Sequence, residues 1–295
     1  MFDHVLIPLD GSSLAEQVLP YGQQIADVCG ARLELICAIE TEDLPEDAVV
    51  EVEQERCGYL QRLVDSLPAT VSPTSICRRG RPAEVIVDHA GDHPGTLIAM
   101  ATHGYSGMQR WLLGSVAHKV AQAASTPVLL LPIGATSPSG GPVEFERMII
   151  PLDGSSLAEQ VLDYAMKLCG CLDMELILVR AYNPNFPGSS VRMKEVSTIV
   201  HDAAENYLKE IAERLRSEGL NAVSYKVLRG IPAEQITDFA LETPNSLTAM
   251  CTHGRHGVGR WLLGSITDAV IHSAEEPVLV IRAANATADR ARSGI

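Results

Sequence analysis

The sequence predicts an α/β protein of two tandem doubly wound domains, each a five-stranded parallel sheet with helices on both faces. Three observations lead there. The 295-residue chain repeats itself: "IPLDGSSLAEQVL" at 7–19 recurs unchanged at 150–162, "GRPAE" at 80–84 returns as "GIPAE" at 230–234, and "TPVLLL" at 126–131 returns as "EPVLVI" at 276–281. Short apolar runs alternate with stretches of helical spacing, which implies parallel strands joined by crossover helices. The apolar fraction is 46% while only 4% is aromatic, so aliphatic side chains dominate, as suits strands buried on both faces.

The elements follow in order. "HVLIPL" is a strand ended by "DGS", whose residues start a helix. Leu14, Val18, Ile25 and Val28 then mark one helical stripe, with Pro20 and Gly22 as sites of a kink. "RLELICAI" is the second strand. An acidic and polar stretch follows it and leads to a helix near 48–67. "TSICRRG" is the third strand, and "RPAEVIVDHAGD" opens a helix with proline near its first position. "TLIAMATHG" is the fourth strand, "WLLGSVAHKVAQAAS" includes a helix, and "PVLLLP" is the fifth strand. The second half repeats the order. The expected boundaries are a first domain over 1–134, a Gly-, Pro- and Ser-rich linker over 135–145, a second domain over 146–283 and a polar tail over 284–295.

Composition bounds the function. A net charge of −14 repels phosphate backbones and anionic membranes, which argues against nucleic acid and lipid surfaces as partners. The first residues lack a basic region and meet an aspartate early, unlike a secretion signal, and the apolar runs are too short to span a membrane. The seven cysteines lack zinc-ribbon spacing and sit mostly in apolar segments, so buried reduced thiols in a cytoplasmic protein are expected.

The stretch that carries chemistry is "THGYSGMQRWLLGS" at 102–115. It returns as "THGRHGVGRWLLGS" at 252–265, with ten of fourteen positions identical. It follows strand four. Gly104 and Gly107 allow a tight turn and close approach of the backbone, and Gly114 with Ser115 then begins a helix. A helix N-terminus has unpaired N–H groups and a partial positive charge, which favours phosphate. Turn-forming glycines of purely structural role are the alternative. The stretches 41–75 and 182–225 have diverged while Gly104, Gly114 and Ser115 recur as Gly254, Gly264 and Ser265. Asp10 and Asp153 end the first strand of each half, where ligands bind in doubly wound sheets. Each is placed to accept hydrogen bonds from ribose hydroxyls, or else to cap the next helix, a task open equally to Ser12, Ser13, Ser155 and Ser156.

In these residues the chain resembles the universal stress protein family in its tandem form. The likeness covers nearly all of both halves. The pattern of the family's ATP-binding branch, a small residue, two residues, Gly, nine residues and Gly-Ser/Thr, reads Ala101, Gly104, Gly114-Ser115 and then Cys251, Gly254, Gly264-Ser265. The family usually has Gly at the first position, so Ala101 and Cys251 are small departures. The resemblance implies ATP, with Mg2+ accompanying the phosphates. Asp10 and Asp153 would face ribose. Gly104, Gly114, Ser115 and the amide of Val116 would hold phosphates in the first half, and Gly254, Gly264, Ser265 and Ile266 in the second. Backbone near Ala38 and Ala181 would meet adenine. It also implies intramolecular pairing of the two domains through their final strands, and is compatible with a further homodimer. Tyr105 of the first half is Arg255 in the second, so the second site is expected to hold a triphosphate more tightly through a charge-assisted bond.

No G-x-x-x-x-G-K-[ST] loop, G-x-S-x-G elbow or H-E-x-x-H helix occurs in the sequence. His103 and His253 lack an evident nucleophile partner, and no protein-supplied metal cluster is evident. Two readings stand: an ATP-binding sensor or regulator of the stress response, with at most slow hydrolysis, or a nucleotide-free interaction protein whose glycines only shape loops. The polar stretches 41–57 and 183–200 suit lids or partner surfaces.

Overall fold

The structure is a computed structural model and describes residues 2–42, 44–102, 113–132, 145–184, 193–252 and 264–283. The chain divides into two compact units, Met1–Val143 and Glu144–Ile295. The expected linker lies almost wholly outside the described residues, as does the tail. Phe145, which the sequence reading put at the linker's end, is buried and stands where Phe2 stands before the first strand of the other unit.

The first unit runs β1 (His4–Pro8), α1 (Ser13–Glu16), α2 (Leu19–Cys29), β2 (Arg32–Ile39), α3 (Glu46–Ser66), a 3-10 turn (Ala69–Val71), β3 (Thr74–Arg79), α4 (Pro82–Gly91), β4 (Thr96–Ala101), α5 (Ser115–Ala123) and β5 (Val128–Leu131). Its strands lie in the order β3-β2-β1-β4-β5, every pair parallel. The second unit runs β6 (Arg147–Pro151), α6 (Ser156–Glu159), α7 (Val161–Leu172), β7 (Glu175–Tyr182), α8 (Met193–Ser217), β8 (Val223–Arg229), α9 (Pro232–Leu241), β9 (Ser246–Thr252), α10 (Ser265–Ser273) and β10 (Val278–Arg282). Its order is β8-β7-β6-β9-β10, again parallel. In each unit strand order reverses between the first and fourth strands, the position where doubly wound sheets open a crevice.

Sequence explains most of this. Val5, Leu6 and Ile7 are wholly buried because the central strand β1 has neighbours on both edges and helices on both faces. Pro82 and Pro232 fall in the first turn of α4 and α9, where a missing N–H costs nothing. The stripe from 14 to 28 departs from expectation. The helix is interrupted, Pro20 falls in the first turn of α2 rather than kinking one long helix, and Val28 is exposed. The interruption turns α2 so that Tyr21, Gly22, Ile25 and Ala26 face inward. Gly22 is there for space: a Cβ would overlap the Ile7 side chain.

The stretch from 46 to 57 is the first half of α3, fastened to β3 by Arg79, which pairs with Glu53 and with Glu46 at 3.4 Å. The thiols also differ from expectation. Cys37 and Cys169 are buried, but Cys171 is exposed, and Cys57 of α3 is joined to Cys77 of β3 with Cα atoms 5.9 Å apart. Helix α3 packs across β3, and that places the two sulfurs together.

At the N-terminal end of β1 the first unit buries a polar group. Desolvation, with help from the charge of Arg32, pushes the His4 ring down to about 4. Burial opposes ionisation of the neighbouring Glu34, but the hydrogen bond from His89 and the charges of His89, His4 and Arg32 together outweigh it and leave the carboxyl below its ordinary value. No helix among the described residues is long and apolar enough to cross a membrane.

Candidate functional site

A cleft of about 260 Å³ opens at the carboxyl ends of β1 and β4, at the switch point of the first unit. Asp10, Ala38, Ala101, Gly114, Ser115 and Val116 all line it. The second unit has a cleft of about 220 Å³ at the matching place, lined by Asp153, Ala181, Cys251, Gly264, Ser265 and Ile266. The structure therefore gathers these twelve residues, six to a cleft, from segments up to 106 positions apart in the first unit. Gly104, Gly254 and Arg255 lie outside the described residues, with the neighbouring Tyr105, His103 and His253.

The loop after β1 separates two tasks. The Ser12 hydroxyl accepts from the amide of Ala15 at 3.2 Å and caps α1. The Asp10 carboxylate instead accepts from the Ser12 amide at 2.9 Å and hydroxyl at 2.6 Å, so it braces the loop without capping the helix. The second unit repeats this: Ser155 caps α6 at 3.1 Å, and Asp153 accepts from the Ser155 amide at 2.8 Å. Burial opposes ionisation of Asp153, but the Ser155 hydrogen bonds and the charge of Arg180 outweigh it and leave the carboxyl below its ordinary value. It is a carboxylate at neutral pH, able to accept hydroxyl hydrogens.

Across each cleft a helix begins with no side-chain cap. Gly114 precedes α5 and Gly264 precedes α10, and among the described residues no side chain bonds the first amides. The Gly114 amide donates to the Thr102 carbonyl at 2.7 Å, which ties the start of α5 to the end of β4. Helix starts of this kind present N–H groups and partial positive charge to an anion. Ser115 and Ser265 are exposed there. Ala38 and Ala101 keep the first cleft's walls low, and Cys251 stands where Ala101 does. Carboxylates at one wall and helix amides at the other match a ligand with hydroxyls at one end and phosphates at the other.

Two arginines escaped the sequence reading. Arg56 of α3 donates to the Asp10 carbonyl at 2.7 Å, and in the second unit Arg180 of β7 lies beside Gly154, over the Tyr207 ring at 5.0 Å. Where one half has arginine the other has a small residue: Ala204 of α8 matches Arg56, and Cys37 of β2 matches Arg180. Different elements thus bring a guanidinium to the same loop. The only sequence signal is this exchange between aligned halves. A second repeated contact, Tyr59 to Glu16 at 2.8 Å and Tyr207 to Glu159 at 2.9 Å, fastens α3 and α8 to the loop helices.

The universal stress protein family model matches the chain twice, over residues 1–132 and 144–282. The chain belongs to the universal stress protein family. Among curated relatives it is similar to universal stress protein MJ0531 of Methanocaldococcus jannaschii, 27% identical over 141 residues, covering 47% of this chain and 82% of that one. It is likewise 27% identical to universal stress protein YxiE of Bacillus subtilis over 147 residues, covering 44% of this chain and 99% of that one. The crystal structure of a universal stress protein from Archaeoglobus fulgidus shares the fold along both halves, with a TM-score of 0.72, 22% identity and coverage of 95% and 98%. The tandem universal stress protein architecture thus follows from sequence and from fold alike.

Proposed function

We propose that this universal stress protein binds an adenine nucleotide, ATP with Mg2+, in each of its two clefts and acts in the cytoplasm as a nucleotide-dependent sensor or regulator. One observation carries the reading: twice in one chain, a strand-end aspartate that leaves the capping of its own helix to a serine faces a helix N-terminus begun by glycine, with no capping side chain among the described residues, across a cleft walled by small residues. Asp10 and Asp153 would hold ribose hydroxyls. The amides and hydroxyls at 114–116 and 264–266 would hold phosphates, and backbone near Ala38 and Ala181 would meet the base. Mg2+ would arrive with the phosphates: none of the carboxylate and imidazole groups that gather among the described residues lines either cleft. Gly104, Gly254 and Arg255 join the proposal through the resemblance, and Arg255 makes the second site the tighter one. Pairing of the domains through their final strands, and a further homodimer, belong to the same reading.

Calorimetric titration of the nucleotide-stripped chain with Mg-ATP, and with cAMP as a second probe, tests it. Two sites per chain are expected. Gly114→Asp and Gly264→Asp should each leave one site, because an aspartate at the helix start caps the amides and repels phosphate while stabilising the helix. The Gly264→Asp chain should retain the weaker site. A folded wild-type chain that takes up neither probe would instead establish the nucleotide-free interaction protein.

A further inference from the structure

At the end of the first sheet opposite the cleft, three imidazoles and a carboxylate converge. They are His4, the first residue of β1; Glu34 of β2; His89 near the end of α4; and His93 just beyond it. His4 Nε2 lies 3.0 Å and His89 Nε2 2.7 Å from the same oxygen, Glu34 Oε2. The His93 ring stands edge-on to both other rings, with centroids 5.3 and 5.1 Å away. Donor atoms of Glu34, His89 and His93 all fall within 4.8 Å of one another. His4 is 1% exposed and His89 3%, while the half-buried His93 and Glu34 leave a path from solvent.

The hydrogen bonds fix which nitrogen of His4 is free. The Thr96 hydroxyl donates its one hydrogen to the His93 carbonyl at 2.6 Å. It can therefore only accept from His4 Nδ1, 2.9 Å away, so that nitrogen carries the ring's hydrogen. When the ring is neutral, Nε2 is a bare lone pair, buried and pointed at a carboxylate oxygen. Two acceptors face each other at 3.0 Å. A proton or a metal cation between them resolves that conflict. Anchoring of one ring nitrogen by a neighbouring group is also how metal-binding histidines are held. Nδ1 of His89 is a second buried nitrogen without a partner.

The second unit shows that the fold does not need this group. Arg147 matches His4, Ile177 matches Glu34, Phe239 matches His89 and Thr243 matches His93. There Ile177 is buried in an apolar cluster against which Phe239 packs. One copy fills two of the four positions with hydrocarbon, and the other fills all four with side chains able to ligate a metal.

We propose that His4, Glu34, His89 and His93 bind a divalent transition-metal ion, Zn2+ foremost. Imidazole and carboxylate are its ligands, and four of them complete a tetrahedral shell. Bonds of about 2.0–2.1 Å set neighbouring ligand atoms about 3.3 Å apart, so the donor atoms of Glu34, His89 and His93, within 4.8 Å of one another, must draw together by side-chain rotation, and His4 Nε2, 3.0 Å from Glu34 Oε2, closes the shell. The ion ties β1, β2 and α4 together at the end of the sheet away from the cleft. This site is independent of the nucleotide proposal.

The test uses the tag-free, reduced, chelator-stripped full chain titrated with Zn2+, with metal content and thermal unfolding measured alongside. One tightly held ion per chain and a raised melting temperature are expected. His93→Ala, at a half-buried position, should weaken binding by at least about 10-fold. The pair Glu34→Ile with His89→Phe, which installs the second unit's residues, should abolish it. Co2+ in place of Zn2+ should give visible d–d bands without a thiolate charge-transfer band. Three results overturn the proposal: no tight Zn2+ binding by the folded wild type, binding that His93→Ala leaves unchanged, or a thiolate band from the bound Co2+.

Discussion

Asp10 and Ser12 divide two tasks two residues apart, and substitutions can separate them. Ser12→Ala removes the cap of α1 and should cost about 0.5–2 kcal/mol of stability, read by denaturant unfolding, with nucleotide affinity little changed. Asp10→Asn keeps an oxygen for the Ser12 amide and should leave stability nearly intact. It removes the charge offered to ribose, so titration should show the first site weakened about 10–100-fold, the worth of a hydrogen bond to a charged group. That serines can cap here was legible in the sequence, because "DGSS" before a helical run is a start signal. The placing of Arg56 at this loop, and of Arg180 at its counterpart in the second unit, was not, since contacts across 46 and 26 positions leave no local pattern.

Element by element, periodicity placed the strands and long helices well and failed at the α1–α2 break. There a turn of chain that packs inward overrode the single stripe drawn through Val28. A different departure sits before β10. Glu276 is half-buried beside Glu275, and burial, then that neighbouring charge, raises its carboxyl to about 7. A carboxyl raised by folding binds its proton more tightly in the native state. The native state therefore loses stability as pH climbs from about 4.5 through 7. Glu276→Thr, which copies Thr126 of the first unit, should raise the melting temperature at pH 8, and the gain should shrink toward pH 5.

At the scale of the molecule, each unit has its own buried core and its own cleft, so a ligand in one should stabilise that unit first. In the Gly114→Asp chain, Mg-ATP should slow amide hydrogen exchange in β6 and α10 and leave β1 and α5 as they were. Protection of β1 in that variant would mean that the first cleft still binds. Zn2+ should give the mirror image in the wild type, protecting β1, β2 and α4.

The sequence by itself determined the duplication, the doubly wound fold, the family and the twelve described residues that line the clefts. Those signals are local or repeated, namely aliphatic strands ended by turn residues, glycine before a helix and one motif written twice, while Ala38, Ala181, Val116 and Ile266 came through the resemblance to the family. Only the tertiary structure decided what depends on distant segments meeting. It set the glycine-led helix starts across from the strand-end aspartates, and it joined Cys57 to Cys77. It also brought His4, Glu34, His89 and His93 to one point. Spread over 90 positions on two strands and the end of a helix, these four follow no period of strand or helix. Parallel pairing sets residues from separate strands side by side, and the packing of α4 on the sheet supplies the histidines, so their chemistry exists only once the chain has folded.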